Sequence, residues 1–172
     1  MGKANWEEWQ TWIEDLNDDL PEFESLAEMF KEDPPLAPVL IDNVLRRGHK
    51  MLIAGPSKAG KSFALMEMTI SIAEGIPWFG FNCEMGKVLY LNMELDRPSA
   101  YKRFKDIYQA MGIPPKHLEN ISIWNMRGHS IPMDKLTPKL IRRAQKEKFD
   151  AVIMDPIYKV LTGSENDAEQ TA

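Results

Sequence analysis

Apolar residues along this chain keep two rhythms, and the change between them divides it. Near the start, Trp6, Trp9, Ile13 and Leu16 recur at helical spacing among acids, which predicts an amphipathic helix over residues 5–17. A second helical stretch follows around Phe23, Leu26, Met29 and Phe30, with Pro21 near its start. Asp33-Pro34-Pro35-Leu36-Ala37-Pro38 then reads as a stiff, extended connector, because proline restricts both its own φ and the residue before it. The boundary is placed there, with an acidic helical segment over residues 1–33 and a second domain over residues 34–172.

Past the connector, short apolar runs alternate with longer amphipathic ones. Met51-Leu52-Ile53-Ala54 predicts a buried strand, and residues 61–74 a helix ended by Gly75. Pro77-Trp78-Phe79-Gly80-Phe81 reads as a surface loop with aromatic anchors. Residues 87–93 predict a second strand, and residues 98–111 a helix ended by Gly112-Ile113-Pro114-Pro115. Ile121-Ser122-Ile123-Trp124 is a third, short strand. Thr137-Pro138 has the form of an N-cap with proline in the first turn, predicting a basic helix to about Lys148. Ala151-Val152-Ile153-Met154 is a fourth strand closed by Asp155, and residues 168–172 begin a further helix. Strands separated by helices predict an α/β fold, a parallel sheet with helices on both faces and a ligand site at the strands' carboxyl ends.

Composition narrows the setting. With 172 residues the chain has room for one ordinary domain with a real core. No apolar run approaches the ~20 residues of a membrane span, and the N-terminus lacks a signal-peptide pattern. Cys83 is the single cysteine, which excludes an internal disulfide and a thiol metal site and points to the cytoplasm. Beside Phe81 it reads as small apolar filler. The net charge of −5 conceals a split: residues 1–33 hold 11 acids and 2 bases, while residues 34–172 hold 15 acids and 19 bases. An acidic arm on a mildly basic body is compatible with a nucleic-acid partner for the body.

The chemistry concentrates in Gly55-Pro56-Ser57-Lys58-Ala59-Gly60-Lys61-Ser62, which fits G-x-x-x-x-G-K-[ST] at every fixed position. Glycines let the backbone wrap a phosphate chain with its N–H groups turned inward. Lys61 is placed to reach the β- and γ-phosphates, Ser62 to ligate Mg²⁺, and Phe63 to offer the next N–H at a helix start facing the anion. This pattern predicts a nucleoside triphosphate site. Two carboxylates complete it. Asp155, at the end of an apolar strand, is placed to hold Mg²⁺, and Glu94, at the matching end of the second strand, to orient a water in line with the γ-phosphate. Asp96, Arg97 and Arg103 follow closely; Arg103 reads as a solvated helix charge, with phosphate or a neighbouring subunit as the other option.

Gly55–Ser62, the run Val88-Leu89-Tyr90-Leu91-Asn92-Met93-Glu94-Leu95-Asp96, and Val152-Ile153-Met154-Asp155 together resemble the RecA-like ATPases. Within them the chain is most similar to the RepA-type replicative helicases of plasmids and related phage or prophage ATPases. Leu45-Arg46-Arg47-Gly48-His49-Lys50-Met51-Leu52 and Asp155-Pro156-Ile157-Tyr158-Lys159 also look like that branch. The resemblance spans about residues 36–172 and implies the Walker A role for residues 55–62, Mg²⁺ on Ser62 and Asp155, and water on Glu94. It further implies a ring-forming, often hexameric, DNA-stimulated ATPase with ATP, Mg²⁺, single-stranded DNA and neighbouring subunits as partners. Such proteins continue past the Walker B strand with a strand that lies between the two Walker strands, so the chain is expected to be the N-terminal part of one.

Other readings stay open. A recombinase-like or loader ATPase, a small-molecule kinase, and a nucleotide-sensing interaction module without turnover all use the same cradle. His49, His117 and His129 have no metal-ligand spacing. Arg142, Arg143, Lys146 and Lys148 form a basic stretch that reads as a solvated face, with DNA phosphate contact as the alternative. Asn125-Met126-Arg127-Gly128-His129 is a loop at the active edge.

Overall fold

The computed structural model describes residues 21–129 and 131–160. The helix expected over residues 5–17 and the turn expected over residues 168–172 lie outside them. The chain divides into two units between Leu36 and Ala37. The first contains α1 (Leu26–Glu32), a seven-residue helix that ends on Asp33 in the left-handed conformation, φ 43°.

The second unit is built on three parallel strands in the order β4-β3-β5. These are β3 (Val88–Asn92), β4 (Ile121–Asn125) and β5 (Ala151–Asp155). They are preceded by a two-stranded antiparallel ribbon, β1 (Val39–Ile41) with β2 (Leu45–Arg46), which the hydrophobic pattern did not disclose because its strands are too short to show a period. Three longer helices follow the ribbon: α2 (Lys61–Glu74), α3 (Arg97–Met111) and α4 (Met133–Glu147).

The period-two alternation of β3 assigns the helices to faces. Val88 and Tyr90 point to one side and pack with Met66, Ile70 and Ile72 of α2 and with Phe104, Ile107 and Tyr108 of α3. Leu89 and Leu91 point to the other side and meet Leu136 and Leu140 of α4. All five residues of β3 are buried, as a central parallel strand covered on both faces requires. The connection from β3 to β4 therefore runs over one face and the connection from β4 to β5 over the other. In open α/β sheets such a reversal usually places the ligand at the strands' carboxyl ends.

Two expectations are corrected. Met51-Leu52-Ile53-Ala54 forms no strand: Ile53 packs on the core, but none of the four pairs with the sheet. A strand exists only through its ladder, and among the described residues no backbone hydrogen bond joins this segment to either sheet. The second concerns α4, which begins at Met133, four residues before Thr137. Burial decides this, since Leu136 and Leu140 both enter the core one turn apart and the helix must already be wound at Leu136. Thr137 is then an interior residue whose Oγ1 donates to the Met133 carbonyl at 2.7 Å, and Pro138 sits inside the helix.

Two polar contacts fix the frame around the sheet. Glu74, at the end of α2, accepts from the Tyr108 hydroxyl at 2.9 Å and from the backbone N–H groups of Lys116 and His117 at 3.0 and 3.1 Å. Asp150, just before β5, pairs with Arg47 and accepts from the Lys87 N–H at 2.7 Å. Gly86 lets this happen: a Cβ there would lie 2.6 Å from the Asp150 carboxylate. Cys83 is buried near this frame, as expected of an apolar filler, and burial pushes its thiol pKa up.

Candidate nucleotide site

The loop over residues 55–60 runs exposed to the start of α2. Lys58 and Gly60 both take positive φ, 63° and 82°. Gly60 is the N-cap of α2 and has no side chain to cap it, so the first N–H groups of the helix are left for an external acceptor. Lys61, the first helical residue, folds back across the loop and donates from Nζ to the carbonyls of Gly55 and Pro56, 2.7 Å each. An ammonium has three protons, so one remains for an anion in the loop.

Ser62 stands one residue further on, and its Oγ donates to Oδ1 of Asp155 at 3.1 Å, across 93 residues of sequence. The sheet makes this contact by carrying Asp155 to the carboxyl end of β5, where it is only 8% exposed. Tyr90 holds the other carboxylate oxygen: its hydroxyl donates to Oδ2. Tyr90 is fully buried and edge-on to Phe104, with ring centroids 5.3 Å apart. Burial, then the charge of Asp155, push the Tyr90 pKa far above its ordinary value, which keeps the hydroxyl a donor. Asp155 is thus gripped from both sides.

Glu94 lies two residues past β3, exposed on a bend. Its turn is clasped by Asn92, a side chain 2% exposed. Asn92 Oδ1 accepts from the Leu95 N–H at 2.9 Å and its Nδ2 donates to the Leu95 carbonyl at 2.8 Å. The same amide reaches Asn125 Oδ1 at 2.8 Å on β4. Met93 is fixed as well, its N–H donating to the Asp155 carbonyl at 3.0 Å and its carbonyl accepting from Lys159 Nζ at 3.2 Å. Strand register produces this arrangement, because Asn92 is level with both Asn125 and Asp155 across the sheet.

The remaining sequence candidates are placed as follows. The Phe63 ring is exposed and lies under the Arg103 guanidinium, 4.7 Å from the ring centroid, which gives Arg103 a cation–π partner. Asp96 caps α3, accepting from the Ser99 N–H at 2.9 Å, and that hydrogen bond holds its carboxyl below the usual range. Arg127 of the loop after β4 reaches Asp96 at 3.5 Å. Asn125, expected in the loop at the active edge, is the last residue of β4, while Tyr90, Asn92 and Lys159 are site neighbours that the motifs do not name. One signal was available: a tyrosine or asparagine inside a wholly buried strand needs a partner for its polar atoms.

The geometry fits a divalent cation of the hard, oxygen-preferring kind. Ser62 Oγ and Asp155 Oδ1 are adjacent oxygens at the helix start, and Mg²⁺ typically takes one or two protein groups and completes its shell with water and phosphate oxygens. Among the described residues no cluster of three or more His, Cys, Asp or Glu is present, so an all-protein metal cage is not offered.

Over residues 17–172 the sequence matches the family model described as AAA domain. This chain belongs to the AAA domain family. No curated protein and no solved structure matches it. Membership gives this AAA domain a P-loop ATPase character, and the three-stranded parallel sheet flanked by helices is the α/β core of such a protein. Within the described residues of the AAA domain, no helix is long and apolar enough to cross a membrane.

Proposed function

We propose that this AAA domain binds ATP with Mg²⁺ in the loop over residues 55–62 and hydrolyses it, as the motor part of a cytoplasmic DNA replication helicase of phage or plasmid type. The observation that carries the nucleotide reading is the meeting of Ser62 with Asp155 beside Lys61, at the uncapped start of α2. Oxygen donors and anion-seeking N–H groups converge on one point there.

In this reading Lys61 and the N–H groups of residues 60–63 hold the phosphates. Ser62 and Asp155 would hold Mg²⁺, with Tyr90 fixing which carboxylate oxygen faces the metal. When bound, the ion neutralises charge that develops on the transferring phosphoryl oxygens. Glu94 accepts a hydrogen bond from the attacking water, and the Asn92 clasp keeps its turn in register with Asp155. A neighbouring subunit in a ring supplies an arginine to the same phosphates, and single-stranded DNA stimulates turnover. The helicase assignment is supported by the resemblance of the three motif segments.

Steady-state ATP turnover with and without Mg²⁺ and single-stranded DNA tests the proposal. Glu94→Gln is expected to lower kcat about 10²–10⁴-fold with nucleotide binding kept, the range of a positioned proton acceptor. Unchanged turnover in that variant, or phosphate passed to an acceptor other than water, would overturn the hydrolytic role. Turnover without strand displacement would replace the helicase by a loader or recombinase-like ATPase.

A further inference from the structure

The start of α4 at Met133 brings Lys135 into the helix, and with it a pattern. Lys135, Lys139, Arg142 and Lys146 follow one another at steps of four, three and four residues. At 3.6 residues per turn these four fall within a strip about 60° wide and about 16 Å long. Leu136 and Leu140 are buried on the side that faces the sheet, and all four cations are exposed on a strip turned about 110° from them. The two acids of the helix, Asp134 and Glu147, project well off that strip. None of the four cations is in an ion pair among the described residues.

Local energetics oppose this arrangement. Like charges three or four residues apart repel, and Lys135 in the first turn faces the positive end of the helix dipole. A merely solvated face carries both signs interleaved. Arg143 and Lys148, which looked like part of the basic stretch, are employed elsewhere. Arg143 stacks over Trp124, 4.3 Å from the ring centroid, and Lys148 ends the helix in the left-handed conformation.

We infer that the outer face of α4 is a contact surface for the phosphate backbone of a single-stranded nucleic acid. The inference deepens the proposed function by naming where the strand lies, away from the loop over residues 55–62. Phosphates are bound by cations alone, without apolar anchors, and the strip contains no aromatic or aliphatic residue. A protein partner is gripped by buried aromatic or aliphatic residues, which the strip does not provide. Contacts to phosphate carry no sequence information, so binding through this strip is indifferent to sequence. A flexible single strand can lay successive phosphates along a straight row, whereas a duplex strand curves away from it.

The test uses the full chain and a fluorescein-labelled thymidine homopolymer of about 20 nucleotides, followed by anisotropy across a salt series. Four neutralised phosphates predict a slope of about −3 in log K against log salt. The variant Lys135→Gln, Lys139→Gln, Arg142→Gln, Lys146→Gln is expected to lose at least about tenfold in affinity at low salt and most of the slope. Lys102→Gln with Lys105→Gln, on α3, should change neither. Circular dichroism and binding of a fluorescent ATP analogue, both unchanged, show that the variant folds. Equal affinity and slope in the variant, or no binding by the parent chain, would overturn the inference. Equal loss of affinity for a duplex would overturn the single-strand assignment. So would displacement of the oligonucleotide by the acidic peptide of residues 1–33 as effectively as by unlabelled thymidine polymer, in favour of a protein partner. Loss of ATP turnover in Glu94→Gln tests the proposed function independently, because it leaves α4 untouched.

Discussion

Tyr90 is fully buried with its ring edge-on to Phe104, and its hydroxyl is what ties it to Asp155. Tyr90→Phe keeps the ring against Phe104 but leaves Asp155 Oδ2 buried without its donor. We expect a loss of about 1–3 kcal/mol in urea unfolding and weaker Mg²⁺-dependent binding of a fluorescent ATP analogue. Tyr108, donating to Glu74, is likewise pushed upward, first by burial. Both phenols titrate near 10 in the unfolded chain and higher in the folded one. Their contribution is therefore complete below about pH 10 and is lost as pH rises beyond it, since the unfolded chain releases its protons first. Urea midpoints at about pH 9 and about pH 11 should diverge, and the double variant Tyr90→Phe, Tyr108→Phe should narrow that gap. Gly55, Lys61, Ser62 and Asp155 were recognisable in the sequence as candidates, because their chemistry is local or sits at a strand end. Tyr90 and Asn92 were not, because their partners come from other strands and only register brings them together.

At the scale of elements, α2, α3, β3, β4 and β5 follow the hydrophobic pattern to within a residue or two at their ends, since an apolar run of sufficient length must be buried whichever face it presents. The start of α4 lies upstream of Thr137-Pro138, which has the form of a cap, because tertiary burial of Leu136 outweighs it. Pro138→Ala tests this directly. With Pro138 inside the helix, alanine restores a backbone donor and should raise stability by about 0.5–2 kcal/mol. A loss on thermal or urea unfolding would restore Thr137 as the helix start. Leu136→Ala should cost about 2–5 kcal/mol, as a fully buried leucine between helix and sheet does. The entry to β3 is equally constrained: Gly86→Ala drives a Cβ into Asp150 and should cost about 1–3 kcal/mol, read as a shifted urea midpoint.

Across the whole second unit, protection is expected to be graded from the centre of the sheet outward. β3 has a strand on each side and all of its residues buried, whereas Val152 on β5 is 38% exposed and β5 pairs only with β3 among the described residues. Native-state hydrogen exchange should find the slowest amides in β3 and faster ones in β5. That the segment entering the phosphate loop does not join the sheet was not legible, because a short apolar run says it prefers burial and cannot say whether a neighbour exists. The contact between Ser62 and Asp155 has a consequence for the order of assembly. The loop and α2 are local in sequence and can form as soon as they leave the ribosome, but Asp155 arrives 93 residues later, after both crossover helices are laid down. A ligand that needs both ends can be retained only by a finished topology. Nucleotide with Mg²⁺ would then act as a late strap on the folding chain, slowing its unraveling and, at a hundredfold excess over Kd, adding about 2.7 kcal/mol to its stability.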